Sequence, residues 1–176
     1  MATNRDWQLG NIELPDGADQ APSAFSGAAS PVTMTATHRD FFGISADRRR
    51  GIELVARELV PGRRVALSTH INADGDGCGS ETGMARLLAQ RGLDVHIVNP
   101  TPWPELFDFL LADDVVDRSA DGAQALKHID LLIVLDISDV KRLGALADTV
   151  RSLTVPRVVI DHHIASEDRA GDIVLT

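Results

Sequence analysis

The sequence predicts an α/β domain in which helices cover both faces of a mainly parallel β-sheet. Short β-rich segments alternate with helical patterns along most of the chain, as they do when helices connect parallel strands. The central segments, such as LLIVL at 131–135, are apolar at every position, which is typical of strands buried on both faces. Apolar residues make up 44% of the 176 residues, so the chain can form one ordinary hydrophobic core.

The ordered domain is expected to span residues 45–176. The segment before it, residues 1–44, is rich in Ala, Ser, Gly and Pro and poor in periodic apolar positions, so we expect a disordered tail. Ser45 can cap the first helix, and Pro61-Gly62 ends it. The apolar residues expected on the inward face of this helix are Ile52, Leu54, Val55 and Leu59.

The next segments predict a β-loop-α-β unit. A strand over RRVALST leads into a glycine-rich loop and then into a helix that ends at Arg91-Gly92. The apolar residues on one face of that helix are Met84, Leu87 and Leu88. The segment DVHIVN forms the second strand, so the glycine-rich loop lies at the carboxyl end of the first.

The second half of the domain continues the alternation. After the turn PTPWP we expect a short helix at 105–111, a brief strand near Val115 and a helix around Gln124. DLLIVL is the most apolar strand. A helix at 143–150 then precedes the strand RVVI, which ends at Asp161.

Charge and cysteine content exclude several classes of protein. The 17 Lys and Arg residues against 26 Asp and Glu residues give a net charge of −9, which disfavours a general nucleic-acid coat protein and a polybasic membrane binder. Cys78 is the only cysteine, so an intramolecular disulfide and a multi-thiolate zinc site are excluded. Because the sequence has no apolar signal region and no segment long enough to span a membrane, we expect a soluble, cytoplasmic protein.

Three polar clusters each follow a predicted strand directly: HINADGDGCGS, DISD and DHH. Ligands of an open parallel sheet bind at the carboxyl ends of its strands, so we expect the three clusters to meet in space. Any one cluster could instead end a strand or cap a helix. Three clusters that each carry metal-type ligands at the same edge favour a metal site.

The first cluster offers one imidazole and two carboxylates, from His70, Asp74 and Asp76. Gly75 and Gly77 allow the loop to fold so that these side chains converge. Nitrogen and oxygen donors without a thiolate favour Mn²⁺, with Mg²⁺, iron or Co²⁺ as alternatives, and they leave Zn²⁺ open.

Gly79 and Ser80 are expected to open the helix that follows this loop, where free backbone amides and the helix dipole would attract a phosphate oxygen. A nucleotide P-loop is excluded because its final Lys-Ser/Thr pair is missing, and a calcium loop because its ligand spacing is not met. Cys78 lies inside the loop without an obvious base, so we expect it to be a small packed residue.

The segments HINADGDGCGS, LDISDVKRLG and VVIDHH resemble the first three motifs of the DHH phosphoesterase superfamily. The resemblance is greatest to the nanoRNase and pAp phosphatase (NrnA-type) branch, with RecJ exonucleases and family II pyrophosphatases as more distant relatives. It runs from about Gly51 to the end of the chain. The sequence departs from the family at Ala73, where a proline is common.

The resemblance implies a pair of divalent cations, Mn²⁺ by preference, that act by a two-metal mechanism. His70 and Asp74 would bind the first cation, and Asp76 and His162 the second. Asp136 would bridge the two.

The resemblance also assigns two residues next to the metal ligands. His163 would act near the leaving-group oxygen as a general acid or a hydrogen-bond donor. Asp161 would orient a histidine, which is a role that a carboxylate commonly has beside metal-bound imidazoles.

The family has a fourth motif and a C-terminal DHH-associated domain that are not found before Thr176, so residues 45–176 are expected to be an incomplete N-terminal domain. The expected substrates are short RNA oligonucleotides or small phosphorylated nucleotides such as 3′-phosphoadenosine 5′-phosphate, with no membrane partner and with a homodimer as one arrangement of the full-length protein. Two alternatives stay open: a non-catalytic module that binds metal or nucleotide, and a hydrolase of pyrophosphate or cyclic dinucleotides.

Overall fold

The computed structural model describes residues 43–111, 113–164 and 166–176. They form a six-stranded, fully parallel sheet with helices on both faces, which confirms the predicted fold class. The strands are β1 (Arg64–Ser68), β2 (Asp94–Ile97), β3 (Val116–Asp117), β4 (Leu131–Leu135), β5 (Arg157–Ile160) and β6 (Ile173–Leu175). The α-helices are α1 (Ala46–Glu58), α2 (Gly75–Ala89) and α3 (Ala147–Ser152), and 3₁₀ helices cover Glu105–Leu110, Ser119–Leu126 and Val140–Leu146. Except for its last two residues, the predicted disordered tail lies outside the described residues.

The strand order places a topological switch beside β1. The order is β3-β2-β1-β4-β5-β6, so the chain first adds strands on one side of β1 and then returns to its other side. Connections that leave a parallel sheet in opposite directions open a crevice at the carboxyl ends of the two strands where the order reverses. That crevice lies between β1 and β4.

The sheet separates two hydrophobic clusters, because successive side chains of a strand point to opposite faces. On one face Val65 and Leu67 of β1 pack with residues of α1 and α2. On the other face Ala66 packs with Leu132 and Val134 of β4, with two of the 3₁₀ helices and with α3. All five residues of β4 are buried, which explains why this strand is apolar at every position.

Helix α1 is capped as predicted, but it buries a narrower stripe than its sequence suggests. The Ser45 hydroxyl accepts a hydrogen bond from a backbone N–H of the first turn. Val55 is buried and Leu59 is half-buried, whereas the predicted inward positions Ile52 and Leu54 are exposed, which makes that part of the prediction wrong. Among the described residues, α1 packs against β6 at the edge of the sheet, and this edge position explains why Ile52 and Leu54 are exposed.

Helix α2 begins earlier than predicted, at Gly75 rather than at Gly79. Asp74 is its N-cap, and the Asp74 Oδ1 atom accepts from the backbone N–H groups of Asp76 at 3.0 Å and Gly77 at 3.2 Å. The Asp74 carboxylate accepts from N–H groups that would otherwise be unpaired, and it lies at the positive end of the helix dipole. These two effects together outweigh the low helix propensity of the glycines. The predicted glycine-rich loop is therefore mostly the first turn of a helix.

The remaining differences from the prediction concern helix type and one strand. The predicted helices at 105–111 and around Gln124 are 3₁₀ helices, and the one at 143–150 is a 3₁₀ helix that continues into α3. On the inner face of α2, Leu88 is buried but Leu87 is exposed. Strand β6 was not predicted, because its three half-buried residues are too short a run to give a strand pattern.

Across the part of the chain that the structure describes, every helix is too short or too polar to cross a lipid bilayer.

Candidate metal centre

The three polar clusters meet at the carboxyl edge of the sheet. His70 lies two residues after β1, Asp136 directly follows β4 and His162 lies two residues after β5. Since β4 pairs with both β1 and β5, the loops that carry these residues are neighbours. Asp74 and Asp76, at the start of α2, complete the predicted group of metal ligands and reach the same edge.

Asp136 lies at the centre of the group, and its two carboxylate oxygens face different histidines. Oδ2 is 3.6 Å from His70 Nε2, and Oδ1 is 3.1 Å from His162 Nε2. The Asp136 side chain is only 4% exposed, so both oxygens are directed into the site by the fold. A carboxylate arranged in this way can give one oxygen to each of two neighbouring cations.

The backbone at Asp136 is strained. Its φ of 63° lies in the left-handed region, which residues other than glycine rarely adopt. The Asp136 N–H donates to the Ile160 carbonyl at 3.0 Å, and the preceding Leu135 carbonyl accepts from the Thr69 hydroxyl at 2.9 Å. These bonds hold the chain in a conformation that turns the Asp136 side chain towards the loops after β1 and β5.

The first group of donors consists of His70, Asp74 and Asp136, whose ligand atoms lie within 4.8 Å of one another. His70 Nδ1 is 2.9 Å from the Ile71 carbonyl oxygen. Because a carbonyl only accepts, this contact places a proton on Nδ1, so that in the neutral ring the lone pair lies on Nε2, which faces the carboxylates. His70 is thus oriented as a ligand before any cation binds.

Asp74 uses its two oxygens differently. Oδ1 caps α2, and Oδ2 is 3.8 Å from His70 Nε2. The backbone N–H of Gly77 is the main cause that lowers the pKa of Asp74, with the N–H of Asp76 adding to it against a smaller effect of burial. A cap that keeps Asp74 ionised also keeps its second oxygen available to a cation.

The second group of donors differs in membership from the predicted ligands of the second cation. Asp136, His162 and His163 have ligand atoms within 4.8 Å of one another. Asp76 Oδ2 lies 3.5 Å from His162 Nε2 but does not belong to that mutual group. The structure therefore brings the two predicted ligands of the second cation together and adds His163, whose Nδ1 is 3.6 Å from Asp136 Oδ1.

His163 is held by Asp161. Asp161 Oδ1 accepts from the His163 backbone N–H at 3.0 Å and contacts His163 Nδ1 at 2.8 Å. This hydrogen bond is the main cause that raises the pKa of His163. Burial disfavours ionisation of Asp161, but its hydrogen bonds to the backbone and ring of His163 outweigh burial and lower the pKa of Asp161. The geometry is that of a carboxylate that orients an imidazole and stabilises its charged form.

Gly77 is needed for close packing rather than for backbone freedom. A Cβ atom at this position would lie 2.9 Å from the Thr69 hydroxyl oxygen and 3.0 Å from the Thr69 methyl carbon. Neither Gly75 nor Gly77 has a positive φ. The first turn of α2 therefore packs against Thr69, the residue after β1, and this contact brings Asp74 close to His70.

Gly79 and Ser80 do not open the helix, so the free amides expected there are absent. Both residues lie inside α2, where backbone amides bond to the preceding turn. The Ser80 hydroxyl lies 3.3 Å from Asp76 Oδ1 and lines a cavity of about 420 Å³ beside Asp136 and His162. Phosphate binding at Gly79 and Ser80 stays a prediction, and in this fold only the Ser80 side chain could carry it.

Cys78 is fully buried, and burial, with smaller effects of nearby carboxylates, raises the pKa of its thiol to about 12. Such a thiol stays protonated at neutral pH and has little nucleophilic character. Its position agrees with the expectation that it is a packed core residue.

Arg142 lies close enough to the site for its charge to act on two residues there. Its charge contributes to lowering the pKa of Asp74 and weakens the rise in the pKa of His163. Its backbone carbonyl accepts from the Ile71 N–H at 2.9 Å, which ties the 3₁₀ helix after β4 to the loop after β1. The sequence signal for this residue is its place in the segment LDISDVKRLG, which forms the second motif.

The match to a protein family agrees with the motifs. Residues 64–175 match the DHH family, N-terminal domain. An exopolyphosphatase-related protein from Bacteroides fragilis has a similar structure, with a TM-score of 0.64, 21% sequence identity, and 72% of this chain and 38% of that one covered. RecJ from Thermus thermophilus in complex with Mn²⁺ has a TM-score of 0.46 at 20% identity, over 73% of this chain and 16% of that one. An exonuclease RecJ bound to manganese has a TM-score of 0.46 at 22% identity, over 72% and 30%. This chain spans less than half the length of each of the three.

Proposed function

Because the chain belongs to the DHH family, we propose that it carries the metal centre of a phosphoric ester hydrolase. The observation that carries the proposal is the placement of Asp136, whose two oxygens face His70 and His162 from the centre of the site. A carboxylate placed in this way can bridge two cations held side by side, which is the arrangement of a two-metal site.

The donor set fits a pair of hard or borderline divalent cations. The proposed ligands are imidazole nitrogens and carboxylate oxygens, without a thiolate: His70, Asp74, Asp76, Asp136 and His162. Such donors suit Mn²⁺, with Mg²⁺ or Co²⁺ as alternatives. Three carboxylates around two imidazoles also give the site a negative charge, which would repel a phosphate group unless cations are bound.

Bound cations would supply Lewis-acid activation of a water and would neutralise charge on the phosphoryl group. The protein's own contribution on the leaving-group side comes from His163, whose pKa is raised by its hydrogen bond to Asp161. His163 donates a proton or a hydrogen bond to the leaving oxygen, and Asp161 keeps the ring in place. The Ser80 hydroxyl, which lines the cavity beside Asp136 and His162, would contact another phosphoryl oxygen.

The proposed substrates are short oligoribonucleotides and 3′-phosphoadenosine 5′-phosphate, which are those expected of the nanoRNase and pAp phosphatase branch that the motifs resemble. The three motifs support this branch, and the cavity of about 420 Å³ beside His162 is of a size that accepts a small molecule, since such sites hold roughly 300–1,000 Å³.

The test is an assay of the whole protein that the reading frame encodes, with Mn²⁺ and a 5′-labelled diribonucleotide as substrate. We expect metal-dependent release of mononucleotides and, with 3′-phosphoadenosine 5′-phosphate, release of phosphate. Asp136→Asn should abolish both. Pyrophosphate and a cyclic dinucleotide are assayed in parallel, and preferential turnover of either would contradict the proposed substrate class. Tight Mn²⁺ binding without turnover of any substrate would identify a non-catalytic binding module instead.

A further inference from the structure

A buried chain of hydrogen bonds lies beneath the candidate metal centre. Glu81, in the second turn of α2, is fully buried, and its Oε2 atom accepts from Asn99 Nδ2 at 2.9 Å. Asn99, just after β2, is also buried, and its Oδ1 atom accepts from the Thr69 backbone N–H at 2.9 Å. We call these three residues the Glu81–Asn99–Thr69 network.

Thr69 connects this hydrogen-bond network to the metal centre. It directly precedes His70. Its hydroxyl donates at 2.9 Å to the carbonyl of Leu135, the residue before Asp136. Its side chain also packs against the first turn of α2 at Gly77. One residue therefore contacts all three segments that carry donors of the first group.

At a core position with only a packing role, a glutamate such as Glu81 would be energetically unfavourable. Burying a carboxyl group costs free energy, and burial is the main cause that raises its pKa to about 8. Its Oε1 atom has no hydrogen-bond partner among the described residues. A leucine would fill the same space at lower cost, so the feature that distinguishes Glu81 is the acceptor it presents to Asn99.

That acceptor determines which way the Asn99 amide faces. An amide group can be turned over so that its oxygen and nitrogen exchange places. With Glu81 accepting from Nδ2, the Oδ1 atom must face the Thr69 N–H, and a buried amide with both ends paired has little freedom to move.

We propose that Glu81 and Asn99 are positioning residues, which hold Thr69 in place and so set the spacing of the loops that carry the metal ligands. The inference rests on the proposed function in one respect, which is that the centre binds divalent cations. Neither Glu81 nor Asn99 contacts a cation itself. Their effect is on how closely the donors of His70 and Asp136 are held before a cation arrives.

The test measures Mn²⁺ affinity by titration, with free Mn²⁺ followed by its EPR signal, in wild type, Glu81→Gln and Glu81→Leu. Glu81→Gln keeps an acceptor oxygen for Asn99, so its affinity should stay close to that of wild type. Glu81→Leu removes the acceptor and should weaken binding by about tenfold or more, which is the typical cost of losing a residue that orients a metal ligand.

Thr82→Val is the matched control. Thr82 is buried in the same helix, and among the described residues its hydroxyl bonds to the carbonyls of Cys78 and Gly79 within α2 and to no other group. Thermal unfolding of each metal-free protein is followed by circular dichroism, so that loss of fold is separated from loss of affinity. Thr82→Val should leave Mn²⁺ affinity unchanged even if it lowers the melting temperature.

If Glu81→Leu does not fold, Thr69→Val decides the matter. Valine keeps the shape of threonine and the backbone N–H that bonds to Asn99, but it removes the hydroxyl that donates to Leu135. We expect weaker Mn²⁺ binding by a folded protein, and unchanged binding would overturn the inference.

Three further outcomes overturn the positioning role. The first is that Glu81→Leu folds and binds Mn²⁺ as tightly as wild type does, and the second is that Glu81→Gln loses as much Mn²⁺ affinity as Glu81→Leu. The third is that the control Thr82→Val loses as much Mn²⁺ affinity as Glu81→Leu. Wild type that binds no Mn²⁺ contradicts the proposed function and the inference with it. Wild-type binding that no variant changes contradicts the inference alone.

Discussion

The hydrogen bond between Asp161 and His163 shifts the pKa of both residues. The Asp161 side chain is fully buried while the His163 side chain is 49% exposed, so the carboxylate is fixed and the imidazole faces the open site. The bond between them raises the pKa of His163 and lowers that of Asp161, as expected for a pair in which both charged forms are stabilised.

Asp161→Asn removes the negative charge but keeps an oxygen that can accept from His163. The pKa of His163 should therefore fall towards its ordinary value of 6.5, as measured by NMR titration of the imidazole resonances in the metal-free protein. The pKa of His96, a residue of β2 that burial keeps below its ordinary value, should not change and serves as the control.

The sign of the linked stability follows from the same shift. A raised folded-state pKa means that the folded protein binds the His163 proton more tightly than the unfolded chain does. The charge-dependent part of this contact thus stabilises the fold below a pH of about 6.5 and is lost as pH rises through the raised pKa of His163. An unchanged His163 titration in Asp161→Asn would show that Asp161 does not control this imidazole.

The metal-ligand donors could be predicted from the sequence, but the buried residues that hold the donor loops in place could not. The types and spacing of His70, Asp74 and Asp136 are visible in the motifs. Glu81 and Asn99 belong to no motif that the sequence analysis used, and their contact joins α2 to the end of β2 across 18 residues of sequence. A buried polar pair of this kind can be recognised only when the two elements are placed side by side.

Among the elements, α2 does the most to shape the site. Asp74 is its N-cap, its first turn carries Asp76, and its second turn carries Glu81. The run of glycines suggested a loop, because glycine is unfavourable in helices. The Asp74 cap and the packing of Gly77 on Thr69 explain why these residues are helical instead. Both effects depend on contacts that the residue order alone does not display.

Two glycines of α2 provide a matched pair of substitutions. An alanine at an exposed, unobstructed helix position should stabilise the protein by about 0.5–1 kcal/mol, because glycine loses more backbone entropy on folding. Gly83 is such a position, since a Cβ atom added there would have nothing within 4 Å. Gly83→Ala should therefore raise the free energy of unfolding, measured by urea denaturation.

Gly77→Ala should have the opposite sign. Its methyl group would lie 2.9 Å from the Thr69 hydroxyl oxygen, and Thr69 cannot move without disturbing its bonds to Leu135 and Asn99. We expect a loss of roughly 1–3 kcal/mol, as in other overpacked cores. Equal stabilisation by both substitutions would mean that α2 does not pack tightly on the end of β1.

The whole molecule explains why distant motifs form one site. Alternation of strands and helices predicted a parallel sheet, and the rule that ligands bind at carboxyl ends predicted that the three clusters would meet. The strand order itself could not be predicted, yet it is what places β4, and therefore Asp136, between β1 and β5. β6 and the inner stripe of α1 were missed or misassigned because both lie at the sheet edge, where burial is partial and apolar patterns are weak.

In the proposed centre, Asp136 bridges two cations held by loops from opposite sides of β4. Asp136→Asn is the sharpest variant for testing this bridging role, because asparagine tolerates the left-handed backbone of this position and keeps the side-chain shape while removing the charge. Circular dichroism of the metal-free proteins should show the same fold in both.

The decisive measurement is the number of Mn²⁺ ions bound per chain and their magnetic coupling, obtained by equilibrium titration and low-temperature EPR. We expect wild type to bind two Mn²⁺ ions that give the exchange-coupled spectrum of a bridged pair, and Asp136→Asn to lose the coupled signal and at least one ion. Two uncoupled ions in wild type, or a coupled pair that survives in Asp136→Asn, would contradict the bridging role of Asp136.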